Sequence, residues 1–476
     1  LPDVGTGLSQ PALHIFGMSF RNTTTATPQA GGGQPASPAG QAWTGAYASS
    51  IENAYDPPSG DTWGSQTVRI AVSPGVAAAA GSDVRIRLSD PGYWSEDGSG
   101  PLAIGAATIA PEAAGTPPSP AASAAPTPLT FGGSASVTVP EGGDIYSDPV
   151  PLPFAVAPGQ GILVSLYLQT PSISDLPLNN DPSGAMSWFA PSSTPDEAGS
   201  QSGAPFTGSG GYATNTVPLL TGLDVTTPEV TSQAPALPGE PTIVVTGDGG
   251  IIDGPDNTDI PPDAGNDPSQ RLAGQLVAQG ATPGFGVVDT SVEDNMLLKD
   301  AASQAGAGGL ALEYRLDHDV LAEPDLGTVI INAGLQDILA SDGAATAVTG
   351  VTDALNDTAG ILNHFGVGEV FIDSLTPCAG YSSSAAGDTC DLTADGGRIA
   401  VNSGISQSGL ASEADFATAV TESGTGAETG TQGVLKADDG AGDGANLSFT
   451  GYADLATWWD NTCGPAAPPT LVLPPT

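Results

Sequence analysis

Residues 242–254 read Thr242-Ile-Val-Val-Thr-Gly-Asp-Gly-Gly-Ile-Ile-Asp-Gly254, an apolar, β-branched run that ends in a Gly-Asp turn. Such a run, stopped by glycines, specifies a buried strand with a sharp exit. Further along the chain, short strand-like runs alternate with longer helical patterns. A helix is expected near 268–279, strands at Gly286-Val-Val288 and Val329-Ile-Ile-Asn332, a helix near 345–365, and a strand from Val370 to Leu375. Strand–helix alternation predicts a parallel sheet flanked by helices.

Before residue 242 the pattern is different. Thr67-Val-Arg-Ile-Ala-Val72, Val84-Arg-Ile-Arg-Leu88, Ala135-Ser-Val-Thr-Val139 and Gly161-Ile-Leu-Val-Ser-Leu-Tyr-Leu168 are short alternating runs between Gly, Pro and Asp turns. Period-2 alternation with frequent turns predicts antiparallel sheets, a β-sandwich of jelly-roll type. The Ala/Pro-rich stretch 111–128 is expected to be a long surface loop. The chain thus divides into an arm (1–40), a sandwich domain (41–225), a Pro/Thr-rich linker (226–241), an α/β domain (242–460) and a proline-rich tail (461–476). In the arm, His14-Ile-Phe-Gly-Met-Ser-Phe20 is strand-like and Gly/Pro/Thr-rich sequence follows it. It suits either a flexible leader or a strand donated to a neighbouring subunit.

The 476 residues carry 9 Lys plus Arg against 52 Asp plus Glu, a formal net charge of −43. A surface of that sign repels nucleic-acid phosphates and anionic lipid, which excludes both as expected partners. Charged residues are only 13% of the chain and apolar residues 39%, so the charge does not imply disorder. No apolar run is long enough to span a bilayer. Few lysines with abundant Gly, Ala, Ser, Thr and Pro suit a secreted, extracellular protein, and the start at Leu1 reads as a processed product. Adaptation to salt or to low pH would leave the same acidity. Cys378 and Cys390 bracket a polar loop that a disulfide would close, which fits an oxidising compartment, and their spacing is not a zinc pattern. Cys463 is left over, as a buried thiol or a link to another chain.

Several motifs stand in one order. They are Val84-Arg-Ile-Arg-Leu-Ser-Asp-Pro-Gly92, Ser147-Asp-Pro-Val150, the Gly247-Asp248 turn, and Tyr314-Arg-Leu-Asp-His-Asp-Val-Leu-Ala322 before Val329-Ile-Ile-Asn-Ala-Gly-Leu-Gln-Asp337. Asp373-Ser-Leu-Thr-Pro-Cys378 and Gly444-Ala-Asn-Leu-Ser-Phe-Thr-Gly-Tyr452 follow. This order resembles the secreted two-domain SGNH (GDSL-like) acylhydrolases, from about Trp43 to Ala456. The resemblance implies a jelly-roll-like domain followed by a flavodoxin-like, parallel-sheet hydrolase domain. It also implies where the reacting groups would lie. After Asp248 the nucleophilic serine is replaced by Gly249, with Gly250 an equal candidate for the position. The oxyanion glycine falls at Ser291, the oxyanion asparagine at Gln336 and the histidine at Asn446, while the orienting aspartate survives as Asp443. Loss of nucleophile and base costs on the order of 10⁶ in turnover, and asparagine cannot serve as a base. The resemblance therefore implies a pseudoenzyme.

No organic cofactor is expected. Asp253, Asp256, Asp259, Asp263 and Asp267 cluster in one loop and Asp438, Asp439 and Asp443 in another. Hard oxygen ligands of this kind suit Ca²⁺, although neither stretch has EF-hand spacing and solvated acidic loops would read the same. Asp248, Asp337 and Asp443 are expected to converge near the old pocket. His318 and His364 read as structural. The tail Leu473-Pro-Pro-Thr476 matches what a sortase leaves on a wall-anchored protein, and Lys299 and Lys436 would be the acceptors in a sortase-built polymer. Three functions remain open. One is a structural or assembly subunit at the cell surface. Another is a glycan or polymer binder using Trp63, Tyr93 and Trp94. The third is a living esterase or deacetylase whose serine is Ser291.

Overall fold

The computed structural model describes residues 40–55, 57, 62–91, 100–114, 118–179, 185–194, 196–228, 242–249, 268–278, 285–300, 308–379, 381, 390–409, 411–421 and 449–462. The first half is built of β1 (Gln41–Ala48), β2 (Asn53–Tyr55), β3 (Gln66–Val72), β4 (Asp83–Asp90), β5 (Leu102–Pro111), β6 (Thr127–Leu129), β7 (Val137–Val139), β8 (Gly143–Tyr146), β9 (Val150–Pro151), β10 (Ile162–Leu168), β11 (Leu176–Asn179), β12 (Met186–Phe189), the short helix α1 (Ala204–Thr207), β13 (Tyr212–Thr214), β14 (Val217–Pro218) and β15 (Leu220–Pro228). All their pairings are antiparallel. One sheet has the order β1-β15-β4-β8 with β9 on β4; a second runs β13-β12-β3-β10-β5-β6 with β7 on β5; β14-β11-β2 form a third.

Alternation along the strands explains the packing. Val84, Ile86 and Leu88 of β4 share a core with Val68, Ile70 and Val72 of β3 and with Val164, Leu166 and Leu168 of β10, so two sheets face each other. The opposite faces are also covered. On β3, Ala71 joins Leu163, Trp188, Phe206 and Ala122 in a second cluster. The segment 111–128, expected as a surface loop, is therefore anchored: Ala122 is buried, and its N–H donates to Gln201 O at 3.0 Å. Arg69, on the same outer face, is buried and donates to the carbonyls of Pro120 (2.7 Å) and Ser200 (2.6 Å) and to Ser165 Oγ (2.8 Å). Burial holds its pKa down at about 10 despite Glu197 nearby. The first and last strands of this half pair along their length, Gln41 opposite Pro228 through Ala48 opposite Gly222. β15 thus runs to Pro228, three residues into the stretch expected to be linker.

The second half comprises β16 (Thr242–Gly247), α2 (Pro268–Ala278), β17 (Gly286–Asp289), α3 (Leu312–Asp319), β18 (Leu326–Asn332), α4 (Leu335–Ala340), α5 (Ala345–His364), β19 (Glu369–Asp373), α6 (Leu392–Ser408), β20 (Ser412–Ala414), α7 (Phe416–Val420) and α8 (Phe449–Thr462). Its five strands are parallel in the order β17-β16-β18-β19-β20. Val244, Val245, Val329, Ile330, Ile331 and Ile372 are fully buried among helix residues such as Leu272, Leu316, Leu355 and Val401. Consecutive strand residues are buried, so both faces of these strands are covered, which accounts for their continuous apolar runs. No helix among the described residues is long and apolar enough to cross a membrane.

The two halves meet backbone to backbone. Gly75 donates to Ala46 O at 2.6 Å and accepts from Val287 N at 3.0 Å, so the outer edge of β17 is covered by the first half. Gly45 N donates to Thr242 Oγ1 at 3.1 Å, and Ser50 Oγ donates to Thr290 O at 2.8 Å. The outer face of β4 adds charge to this seam. Arg87 is buried and pairs with Glu323 at 2.7 Å, while Arg85 pairs with Asp224 at 2.7 Å and lies over the Trp43 ring. Burial pushes the Glu323 carboxyl up to about 8 against the pull of Arg87, and it pushes Asp224 up as well. Burial acts to lower the Arg87 pKa, but Glu323 at 2.7 Å raises it, so Arg87 stays charged. His318 Nδ1, read from sequence as structural, lies 3.2 Å from Asp144 Oδ2 across the same seam.

Candidate functional site

The carboxyl ends of β16, β17, β18 and β19 converge at one edge of the parallel sheet, where open α/β sheets place their ligands. β16 ends at Gly247, whose φ of +125° lies in the region reserved for glycine. A Cβ there would come within 1.9 Å of Asn332 O. The next N–H, from Asp248, donates to that same oxygen at 2.7 Å. The Asp248 side chain is wholly buried. Gly249 N donates to Val292 O at 2.7 Å, and Val292 N returns a bond to Gly247 O at 3.0 Å. The turn is therefore stitched to the loop after β17. A Cβ built on Gly249 would lie 2.7 Å from Glu293 N and 2.9 Å from the Val292 carbonyl carbon, both backbone atoms.

The other expected positions gather at the same edge. Ser291 is buried; its N–H and its hydroxyl both donate to Asp289 Oδ1, at 2.9 and 2.6 Å. Gln336 Nε2 donates to Asp294 Oδ1 at 3.1 Å. The oxygens of Asp337 are engaged within the protein: they accept from Leu297 N (2.7 Å) and Leu298 N (3.1 Å), and burial nevertheless raises its pKa. Gly250, Asp443 and Asn446 lie outside the described residues, as do the calcium candidates Asp253, Asp256, Asp259, Asp263, Asp267, Asp438 and Asp439. Cys463, Tyr93 and Trp94 lie outside them too.

Two features of this edge went unassigned from sequence. Arg315 on α3 is buried, and it donates to Thr290 O (2.5 Å), Gly247 O (3.2 Å), Ser50 Oγ (3.1 Å), Asn295 Oδ1 (2.9 Å) and Asp319 (3.0 Å). One guanidinium thus ties together the turns after β16 and β17 and the first half of the chain. Truncation should be severe, because it strands several buried carbonyls and one carboxylate. Arg315→Ala is expected to cost roughly 3–5 kcal/mol in denaturant unfolding; a loss below about 1 kcal/mol would remove its tying role. The signal available in sequence was scarcity, since each cation in so acidic a chain has many carboxylates to choose from.

The second feature is Asp373, at the end of β19 and completely buried. It accepts from Trp459 Nε1 at 2.9 and 3.2 Å and, at a long 3.5 Å, from Asn332 Nδ2. Burial raises its pKa to about 7, against the lowering effect of those two donors. Trp459 is fully buried on α8, so this contact docks the C-terminal helix onto the strand ends.

Cys378 and Cys390 are disulfide-bonded, as expected, with Cα atoms 5.7 Å apart. Trp63 is a core residue rather than a stacking platform: it is buried 4.6 Å from the Phe189 ring, with Tyr212 at the exposed margin of the cluster. His364 stacks edge-on to the exposed Phe365 and lies away from the strand ends.

No family model matches the chain, and no curated protein matches it. Solved structures similar to it include a variant of an acetyl xylan esterase from Geobacillus stearothermophilus, with 16% identity and a TM-score of 0.33, covering 48% of this chain and 96% of that one. A GDSL-like lipase from Bacteroides thetaiotaomicron has 13% identity and a TM-score of 0.31, covering 47% and 87%. At these values the likeness carries no statement about chemistry, which rests on the residues of the chain itself.

Proposed function

We propose that this chain is a secreted, non-catalytic relative of the SGNH (GDSL-like) acylhydrolases. In this reading a jelly-roll-like domain and a flavodoxin-like hydrolase frame form one rigid structural or assembly unit at the cell surface. One observation carries it. The three donors that would hold an oxyanion, Gly249 N, Ser291 N and Gln336 Nε2, each already have an acceptor within the protein, at 2.7, 2.9 and 3.1 Å. An oxyanion hole works by presenting preorganised donors to developing charge, and engaged donors offer none. At Gly249 the space for a nucleophile is closed as well, since a side chain there would meet the backbone of Val292 and Glu293. The seam of buried ion pairs and backbone bonds suits a body that transmits load without flexing. Self-assembly through the N-terminal arm, or wall attachment through the tail, would complete the unit.

The test is covalent trapping. A fluorophosphonate probe is expected to leave the intact mass unchanged, and nitrophenyl acetate turnover is expected to stay at the buffer rate. Gly249→Ser is expected to remain inactive because its Cβ has no room. Labelling of a single residue in the wild-type chain would overturn the proposal. A second reading, an acylhydrolase with an atypical site, is favoured by the 2.6 Å bond from Ser291 Oγ to Asp289, which places a hydroxyl against a carboxylate base. It requires labelling at Ser291 and loss of turnover in Ser291→Ala.

A further inference from the structure

A different cluster lies beyond β19. The sulfurs of Cys378 and Cys390 and a carboxylate oxygen of Asp395 all lie within 4.8 Å of one another. The three residues are 0%, 6% and 2% exposed. We propose that Cys378, Cys390 and Asp395 form a site for a thiophilic divalent cation, Zn²⁺ or Cd²⁺, that exists only when the disulfide is reduced.

Geometry and electrostatics both favour it. Two thiolates on a tetrahedral Zn²⁺, each at about 2.3 Å, sit about 3.8 Å apart. The Cα separation of 5.7 Å that accommodates the disulfide leaves the sulfurs free to reach that spacing by side-chain rotation. Asp395 supplies the third ligand from the first turn of α6, and water would complete the set. Cys390 immediately precedes Asp391, the N-cap of that 17-residue helix, whose side chain accepts from Thr393 N and Ala394 N. The helix N-terminus carries partial positive charge, and this lowers the cost of a thiolate beside it. Arg398 adds a full positive charge, with its Nε 2.8 Å from Asp395 and its Nη1 on Leu375 O at 2.8 Å.

The steps balance. A thiol reductant cleaves the disulfide through a mixed disulfide, leaving two Cys–SH groups and the oxidised form of the reductant. Metal binding then forms two metal–sulfur bonds and releases two protons to solvent. In the oxidised protein the sulfurs are bonded to each other and offer no ligand, so the thiol–disulfide balance of the medium decides between the two forms.

The experiment uses the full chain in a Cys463→Ser background, which removes the third thiol. The many surface carboxylates bind cations without sulfur, so the readout is the thiolate-to-metal charge-transfer absorbance with Co²⁺ as probe, and displacement of Co²⁺ by Zn²⁺. The oxidised protein is expected to show no such band. After reduction with a phosphine it should show one that saturates at a single equivalent. Cys390→Ser should abolish the band, and Asp395→Asn should weaken Co²⁺ binding by about tenfold or more. Cys390→Ser leaves the Asp395–Arg398 pair in place, so loss of binding there cannot be blamed on that ion pair. Absence of a band in reduced, folded protein at excess metal would overturn the proposal. So would equal affinity in Asp395→Asn, or a reduced chain that unfolds and is not refolded by metal.

Discussion

Gly75→Val is expected to part the two halves of the molecule. A Cβ at Gly75 would lie 1.9 Å from Val287 O, a backbone atom that cannot rotate aside. Relief requires moving the loop away from β17, which breaks the bonds from Val287 N to Gly75 O and from Gly75 N to Ala46 O. Gly286→Val attacks the same seam from the other side, where a Cβ would meet Gly45 O at 2.0 Å. The separated seam would then expose Arg87 and Glu323, whose pairing at 2.7 Å is buried only while the halves touch. Overpacking of this kind, with loss of buried bonds, costs on the order of 4 kcal/mol or more. Calorimetry is expected to show one transition for the wild type and two for each variant, with new protease cuts between 229 and 241. Gly360→Ala is the control: it lies in α5, a methyl group there would have nothing within 4 Å, and the change should be neutral or slightly stabilising. A single unshifted transition in Gly75→Val would show that the seam does not hold the halves together.

The second large effect is in pH. Asp373 is completely buried, and its carboxyl is raised from an ordinary 3.8 to about 7. A carboxyl with a higher pKa in the folded state binds its proton more tightly when folded. The contribution of Asp373 to stability therefore falls as pH rises from about 4 to about 7 and is flat above that window. The full window corresponds to about 4 kcal/mol, and the part between pH 7 and 5 to about 2–3 kcal/mol. The wild-type chain is expected to melt higher at pH 5 than at pH 8, by roughly 2–3 °C from Asp373 alone. Asp373→Asn mimics the neutral acid. It can still accept from Trp459 Nε1, and it can donate to Asn332 Oδ1, a buried atom with no hydrogen-bond partner among the described residues. The variant should gain melting temperature at pH 8 and lose the Asp373 share of the slope, while the buried Glu323 carboxyl, raised to about 8, keeps its own share of the same sign. A uniform loss at both pH values would mean that Asp373 works as an anion, and the pH argument would fail.

Much of the architecture was legible because its causes are local. Alternation in Val84-Arg-Ile-Arg-Leu88 encodes a strand with one apolar face, and the all-apolar Ile243–Val245 run encodes a strand covered on both faces; both are strands in the structure. The helix at Ala345–His364 follows its expected bounds to within a residue for the same reason. What periodicity did not convey was how far the polar faces are buried. Arg69, Arg85, Arg87, Arg315 and Arg398 are at most 4% exposed. More than half of the nine cations therefore lie inside, and the solvent-facing surface is more purely anionic than the net charge of −43 suggests.

At the candidate site, the resemblance put Gly249, which has no nucleophile to offer, at the nucleophile position and Gln336 where a smaller amide was expected. That much follows from residue identity, since no fold can give glycine a hydroxyl. Only the tertiary structure decided where the donors point. The acceptors of Gly249 N and Gln336 Nε2 are Val292 O and Asp294 Oδ1, some forty residues away, and Arg315 reaches Ser50 across 265 residues. The pairing of a donor depends on which segments the fold brings within 3 Å. Nothing in the periodicity of either segment encodes that distance.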